Sequence, residues 1–506
     1  MALVPMLRTQ LRYWRGQRAR VSDLEQIVDY MRRRRARGLA ALPFGFGQRM
    51  QRPARRDPDQ LRALQGRRLR RTVEYAYRYV PFYRQALDAR SVTPADIRSL
   101  ADAIKLPITQ REQLEENTAA FISRHPDALP SAVSKTSGTS GKRLSVYLTP
   151  EEIRYYTVTR AMGWLRTGRL GPTDIVQINQ NLTGSLSAVM TTMAAHMVGA
   201  LVLTPGLRGT LDDHLESIFE ERHIPGKKPK VSVLFIYPTH LWSLTRHAQE
   251  KGVDFQSSGL EHIATGAAPV SDDLRQLVLD TWGISLRETY GMNDVVPLFA
   301  SQCRVSQRLH FPDSVAYAEA LDPETQAPVP GGHPGVLTVT TFYPHRQLMP
   351  LLRYWTEDLV RLSPDPVCAC GTTTTQVLEI VGRADHMVTV GAWNIYPQMV
   401  GDSLRGFPEL AMPPRFALRT EQREDAQYAI LDVEVAESYW LRDDHELQRR
   451  IEQGVVFGRS SEVQAGSVKV QVNLHPAGSI EQAFPYKLHE GGGPAAWAEQ
   501  ANQERV

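Results

Sequence analysis

Seven consecutive residues, Thr136-Ser137-Gly138-Thr139-Ser140-Gly141-Lys142, combine hydroxyls, two glycines and an ammonium just ahead of a strand-like run, Leu144-Ser145-Val146-Tyr147-Leu148. Glycines let backbone N–H groups converge on one point, and hydroxyls and a lysine add further donors, which suits a polyphosphate. The common nucleotide loop, GxxxxGK followed by Ser or Thr, is excluded, because Thr136 stands at its first glycine and Arg143 follows Lys142. By itself the heptamer reads equally well as a polar surface turn. A second set is formed by the only three cysteines, Cys303, Cys368 and Cys370, with His310. Three thiolates and an imidazole make a tetrahedral structural zinc set; three buried free thiols are the alternative. So few cysteines exclude a disulfide scaffold.

These groups need a large frame. At 506 residues the chain is too long for one core, so two or three domains are expected. No apolar run approaches a membrane span, and the first twenty residues lack the apolar core of a signal peptide, so a cytoplasmic protein without a membrane partner is expected. Residues 1–71 hold nineteen arginines and five acidic residues, +14, leaving about −10 elsewhere for an overall +4. That asymmetry raises nucleic acid as a partner. Against it, Leu24, Ile27, Val28 and Met31 recur at helical spacing beside the Arg32–Arg35 run, which favours an amphipathic helix whose basic face is solvated or contacts a subunit. A homodimer is compatible with this.

Further along, short apolar runs such as Ile175-Val176-Gln177-Ile178 and Val231-Ser232-Val233-Leu234-Phe235-Ile236 alternate with helical stretches, the pattern of a layered α/β domain. Residues 310–380 turn β-rich. Residues 386–490 mix helices with two strands, around 429–435 and 468–472, as a small α+β domain, and the tail is Gly/Ala/Gln-rich.

Five segments then fall in a fixed order: Ser134 to Lys142; Ala264-Thr265-Gly266-Ala267-Ala268-Pro269; Glu288-Thr289-Tyr290-Gly291-Met292-Asn293-Asp294; Arg353-Tyr354-Trp355-Thr356-Glu357-Asp358; and Gly382-Arg383-Ala384-Asp385 with Gly391 to Pro397. In that order they resemble the ANL superfamily of adenylate-forming enzymes. Tyr79-Val80-Pro81-Phe82-Tyr83-Arg84, Leu106-Pro107-Ile108-Thr109 and the cysteine segments are similar to its phenylacetate–CoA ligase branch.

The resemblance implies attack of a carboxylate on the α-phosphate of ATP, giving acyl-AMP and pyrophosphate, then transfer to coenzyme A. It implies a large α/β adenylation domain (72–384) with a β-rich subdomain, after an arginine-rich helical extension (1–71) and before a mobile α+β lid (385–490) and a flexible tail (491–506). Ser137, Gly138, Thr139, Ser140, Gly141 and Lys142 would hold the outer phosphates. Gly266, Ala267 and Ala268 would leave room for adenine, with Tyr290 covering its other face and Thr289, Gly291 and Asn293 alongside. Asp294 would ligate Mg2+, Asp358 would accept the ribose hydroxyls, and Arg383 would touch ribose or phosphate. Asp385 would be the hinge and Lys487 the catalytic lysine of the lid, since its competitor Lys469 reads as the exposed face of a strand. Relatives with a similar Cys/His pattern carry structural zinc.

The acyl pocket would draw on Asn181, Thr183, Tyr237, Pro238 and Gly266. The amide-rich run Asn179-Gln180-Asn181 favours a hydroxy- or amino-substituted aromatic acid. Asn293-Asp294 replaces the usual Ser/Thr-Glu pair, and His386 replaces a second acidic residue after the hinge. These departures leave the acceptor open between coenzyme A and nitrite, the latter as in diazotases acting on amino-aryl acids.

Overall fold

The computed structural model describes residues 3–480 apart from 15–16, 43–56, 136–143, 181, 183–185, 207–208, 268–269, 271, 297–298, 384–387, 391–392, 396, 412–413, 424–425, 438, 440–443, 459 and 465. Among the described residues the first helices are Leu3–Trp14, Val21–Ala36 and, third among these, Pro58–Tyr79. The third starts where its residues dictate: Asp57 accepts from the Asp59 N–H, and Pro58 occupies the first turn, where a missing N–H costs nothing.

The frame is one eleven-stranded sheet made of two unlike halves. A hairpin of β1 (Ala132–Lys135) and β2 (Ser145–Leu148) precedes it. The parallel half contains β3 (Ile175–Asn179), β4 (Leu201–Leu203), β5 (Val233–Ile236), β6 (His262–Gly266) and β7 (Arg287–Tyr290), in the order β4-β3-β5-β6-β7. Every residue of β3 and β5 is buried, as expected for parallel strands covered on both faces. The antiparallel half continues from β7 through β8 (Ala300–Gln302), β9 (Leu309–His310), β13 (Gln376–Arg383), β12 (Tyr354–Leu362), β11 (Pro334–Thr341) and β10 (Ala316–Leu321). Helices Pro150–Thr167 and Leu186–Val198 share one apolar core with Val176, Ile178 and Phe235. Helices Leu211–Phe219, Pro238–Glu250 and Asp272–Trp282 build a second core against Leu234, Ile236 and Ile263 on the opposite face.

A third, separate core belongs to a small α+β unit. It holds a hairpin of β14 (Val388–Val390) and β15 (Trp393–Ile395), and a three-stranded sheet of β16 (Phe416–Gln422), β17 (Gln427–Glu434) and β18 (Val468–His475). Helices Pro397–Leu404, His445–Gly454 and Ser461–Gln464 pack with them. The expected α/β architecture is therefore present, and the two strands read near 429 and 468 are β17 and β18. β14, β15 and β16 were not anticipated. The boundary expected at 71/72 falls inside the Pro58–Tyr79 helix, and Leu24, Ile27, Val28 and Met31 are buried in the large core.

Candidate active site

The two halves of the sheet meet around β7, and the predicted nucleotide residues gather there through an irregularity in β12. Between the pairs Val336–Leu359 and Thr338–Trp355 the register slips, so residues 356–358 of β12 stand against residue 337 alone. Glu357 takes a left-handed φ of 65°, a conformation costing a non-glycine residue about 1 kcal/mol or more. Successive strand residues ordinarily point to opposite faces. The kink instead lets both Glu357 and Asp358 reach one guanidinium: Arg383, paired directly across from Asp358, bonds Glu357 and lies 3.8 Å from the Asp358 carboxylate. The other Asp358 oxygen, Oδ2, accepts the Tyr290 hydroxyl at 2.5 Å. Burial, and then the facing Asp358 carboxylate, push the Tyr290 hydroxyl's pKa well up, so it stays a donor. A buried ring, a carboxylate with a displaceable hydroxyl donor and a guanidinium thus converge on one spot.

Asp294 lies deeper. Its Oδ2 accepts from the Tyr354 hydroxyl at 2.6 Å and from Arg111 at 3.1 Å, and its side chain is 4% exposed. Burial raises its pKa, with Arg111 and then Tyr354 opposing the rise. Burial pulls the Arg111 guanidinium down, but Asp294 and Glu115, the latter 2.7 Å away, more than offset this. The two branch-specific motifs explain how these groups are held. Thr109 exchanges backbone bonds with Arg353 and Trp355, its hydroxyl donates to Leu352 O at 2.7 Å, and the Tyr83 hydroxyl lies 3.1 Å from it. Arg353 itself is pinned by Glu319 at 3.2 Å. This clamp fixes Tyr354 on one side and delivers Arg111, two residues beyond Thr109, on the other. A single carboxylate completed by substrate phosphates is an ordinary complement for Mg2+, so Asp294 fits that role with Arg111 as its competitor.

Gly266 ends β6, and a Cβ there would come within 2.6 Å of Thr289 Oγ1, so its smallness is required first by the β6–β7 approach. Thr289 Oγ1 donates to Thr265 O at 2.9 Å, Ala267 follows with φ 69°, and Gly291 and Asn293 are half-buried after β7. Tyr237 and buried Pro238 open the Pro238–Glu250 helix at the end of β5. Ser137 through Lys142, Asn181, Thr183, Ala268, Asp385 and Lys487 lie outside the described residues. Sequence reasoning passed over Arg111, Tyr354 and Glu357, although Tyr354 and Glu357 lie inside a quoted motif and Arg111 follows another.

Away from this site, ligand atoms of Cys303, His310, Cys368 and Cys370 all lie within 4.8 Å of one another. The Cys303 and Cys368 sulfurs are 3.9 Å apart, as are Cys370 Sγ and His310 Nε2. Zn–S bonds of about 2.3 Å in a tetrahedron put sulfurs at just such separations, so this donor set fits a four-ligand structural ion. Burial alone would raise the Cys303 thiol's pKa, but the Ser306 and Val305 N–H groups bring it down to about 7, favouring the thiolate a metal needs.

A family profile described as AMP-binding enzyme matches residues 88–343. Phenylacetate–coenzyme A ligase of Thermus thermophilus is 29% identical over 384 residues, covering 76% of this chain and 83% of that one. The ligase of the same name from Escherichia coli is 27% identical over 386 residues, covering 75% and 84%. A crystal structure of 2-hydroxyisobutyryl-CoA ligase in the postadenylation state with 2-HIB-AMP superposes with a TM-score of 0.69 at 19% identity, covering 87% of this chain and 91% of that one, a likeness of fold. With the profile spanning half of the sequence and the bulged β12 bringing Asp358, Arg383 and Tyr290 together as the motif order requires, the chain belongs to the AMP-binding enzyme family and is a phenylacetate–CoA ligase-like adenylate-forming enzyme.

Proposed function

We propose that this enzyme joins ATP to a substituted aromatic carboxylic acid as acyl-AMP, releases pyrophosphate, and passes the acyl group to coenzyme A. The observation that carries this reading is the meeting of Tyr290, Asp358 and Arg383 at the junction of the two half-sheets. On it, the ribose hydroxyls displace the Tyr290 hydroxyl from Asp358, the Tyr290 ring covers adenine, and Arg383 orients the ribose–phosphate edge. The loop from Ser137 to Lys142 steadies the leaving pyrophosphate, and Lys487 neutralises charge developing between the carboxylate and the α-phosphate. Magnesium at Asp294 would supply charge neutralisation at the phosphates. Coenzyme A as acceptor is supported by the names of the curated relatives, and the hinge at Asp385 would bring the lid over for that step. Zinc at the Cys/His cluster would pin β9 to the Cys368–Cys370 loop and take no part in the reaction, because four protein ligands leave no open position.

A polar substituent on the acid is supported by the buried amides of β3. Gln177 donates to Asn179 Oδ1 and to His214 O, yet among the described residues Asn179 Nδ2 has no partner at the carboxyl end of the strand. The test is acid-dependent pyrophosphate release over phenylacetate and its hydroxy and amino derivatives, with coenzyme A or nitrite added to trap thioester or diazo product. Asp358→Ala should lower release at least about a hundredfold by raising the KM for ATP, since it removes a charged acceptor of two hydrogen bonds. Retention of wild-type release by that variant would end the assignment.

A further inference from the structure

We propose that Arg160 selects the acid, and that the acid carries a second anionic group remote from the carboxylate that is activated. This rests on the adenylation reading above and narrows its polar substituent. Arg160 lies in the middle of the Pro150–Thr167 helix, with Tyr156 and Trp164 one turn away on the same face. Its guanidinium carbon stands 3.9 Å from the Phe299 ring centre and 5.1 Å from that of Trp164, and it donates to the Tyr156 hydroxyl at 3.1 Å. Among the described residues its Nε is buried without a partner.

Among the described residues no carboxylate pairs with Arg160, whereas three other arginines packed into the large domain are matched. Arg346 has Glu152 at 3.3 Å, Arg353 has Glu319 at 3.2 Å and Arg111 has Asp294 at 3.1 Å. A guanidinium half-withdrawn from water, with ring faces and one phenol oxygen as its partners, loses more hydration than these contacts return. Burial pulls its pKa down accordingly. Such a group is completed by an anion that arrives with the ligand, and Arg is the side chain best shaped to meet one bidentately.

The location names the ligand. The Trp164 ring is 5.4 Å from that of Phe235, two residues before Tyr237 at the end of β5. Phe299 follows on from the Tyr290–Ala300 pair and so stands opposite Gly291. Arg160 is thus enclosed between the ends of β5 and β7, on the carboxyl side of the parallel strands where open α/β sheets hold ligands. The reacting carboxylate must sit at the nucleotide end, so the group that meets Arg160 is a different one. Rings on both flanks suit an aryl or similarly flat spacer, and a guanidinium suits a carboxylate or another acid, while repelling an ammonium or amine donor.

The test compares kcat/KM for pyrophosphate release with 4-carboxyphenylacetate, 4-hydroxyphenylacetate, 4-aminophenylacetate, phenylacetate, and a series of aromatic and aliphatic diacids. Wild type, Arg160→Lys and Arg160→Met are each measured as a ratio of acids within one preparation, so the folded fraction cancels. Wild type should favour the carboxy over the amino acid by roughly ten- to a hundredfold, the worth of a hydrogen bond to a charged group. Arg160→Met should bring that ratio near unity through KM, and Arg160→Lys should keep part of it. An unchanged ratio in Arg160→Met, a wild-type preference for the amino or unsubstituted acid, or no release with any diacid overturns the inference. Binding of ATP by wild type, lost in Asp358→Ala, would meanwhile leave adenylation standing, so the two readings fail separately.

Discussion

The proposed nucleotide end and the proposed acyl end of this site are built on opposite terms. At the first, Asp358, Glu357, Arg383, Asp294 and Arg111 hold one another in place before any ligand arrives. At the second, among the described residues, Arg160 Nε is buried without a partner. Charges paired in advance keep their positions when a ligand displaces one member, which suits a moiety that never varies. Orphaned groups hold no fixed geometry and favour only a ligand that completes them, which suits the part that distinguishes one acid from another.

The contrast is broken most directly by truncating one arginine at each end. Arg111→Met leaves the buried Asp294 carboxylate without its cation and should cost about 3–5 kcal/mol of stability, whereas Arg160→Met removes a half-buried charge with no carboxylate partner among the described residues and should be neutral or slightly stabilising. Denaturant midpoints of the two variants check this, and equal losses would erase the distinction. A smaller effect tests the cysteine cluster, which is pre-arranged like the nucleotide end. Metal analysis should find one zinc per chain, and Cys370→Ser should lose it, with a melting point lower by several degrees for a loss of about 1–2 kcal/mol. Adenylation per folded molecule should persist; a zinc content of zero in wild type would refute the cluster's role.

The smallest effect concerns pH. Burial, and then the neighbouring His214, push the His240 pKa down to about 4 from the usual 6.5, and His214 Nδ1 lies 2.8 Å from His240 Nε2. A histidine depressed on folding contributes stability that is whole above about 6.5 and is lost as pH falls toward 4. The melting point of wild type should therefore fall more steeply across that window than that of His240→Gln. Parallel slopes would show that His240 is not the group responsible.

What could be read from residues alone follows the same division. Asp358, Tyr290 and Arg383 announce themselves through local motifs, because each motif's order survives as a continuous run. Arg111 meets Asp294 across 183 residues, and no local pattern signals that pairing. Glu357 was hidden for another reason: its role depends on a left-handed φ that a glutamate ordinarily avoids, so nothing in its residue type points to the bulge. Gly266 was legible as small, yet the neighbour that demands it is Thr289 of the adjoining strand. β16 escaped because only Phe416 and Leu418 of its seven residues are buried, too short an alternation to stand out. Arg160 reads in sequence as one more charge on an amphipathic helix, and only its enclosure by Tyr156, Trp164 and Phe299 sets it apart.

The arginine-rich opening helices bear on how this protein can be handled at all. The Val21–Ala36 helix lies along the Pro150–Thr167 helix, where Arg35 donates to Leu165 O at 3.1 Å and Arg154 bonds Glu25 at 2.8 Å. Removing residues 1–71 would strip the back of the helix that carries Arg160 and open the apolar seam beneath it. A truncated product would aggregate, and any oligonucleotide it held or failed to hold would report misfolding. Arg33, whose side chain is 71% exposed, can be changed to glutamine without touching that seam. Surface substitutions of that kind, made one at a time in the intact chain, are the way to ask what the basic face meets.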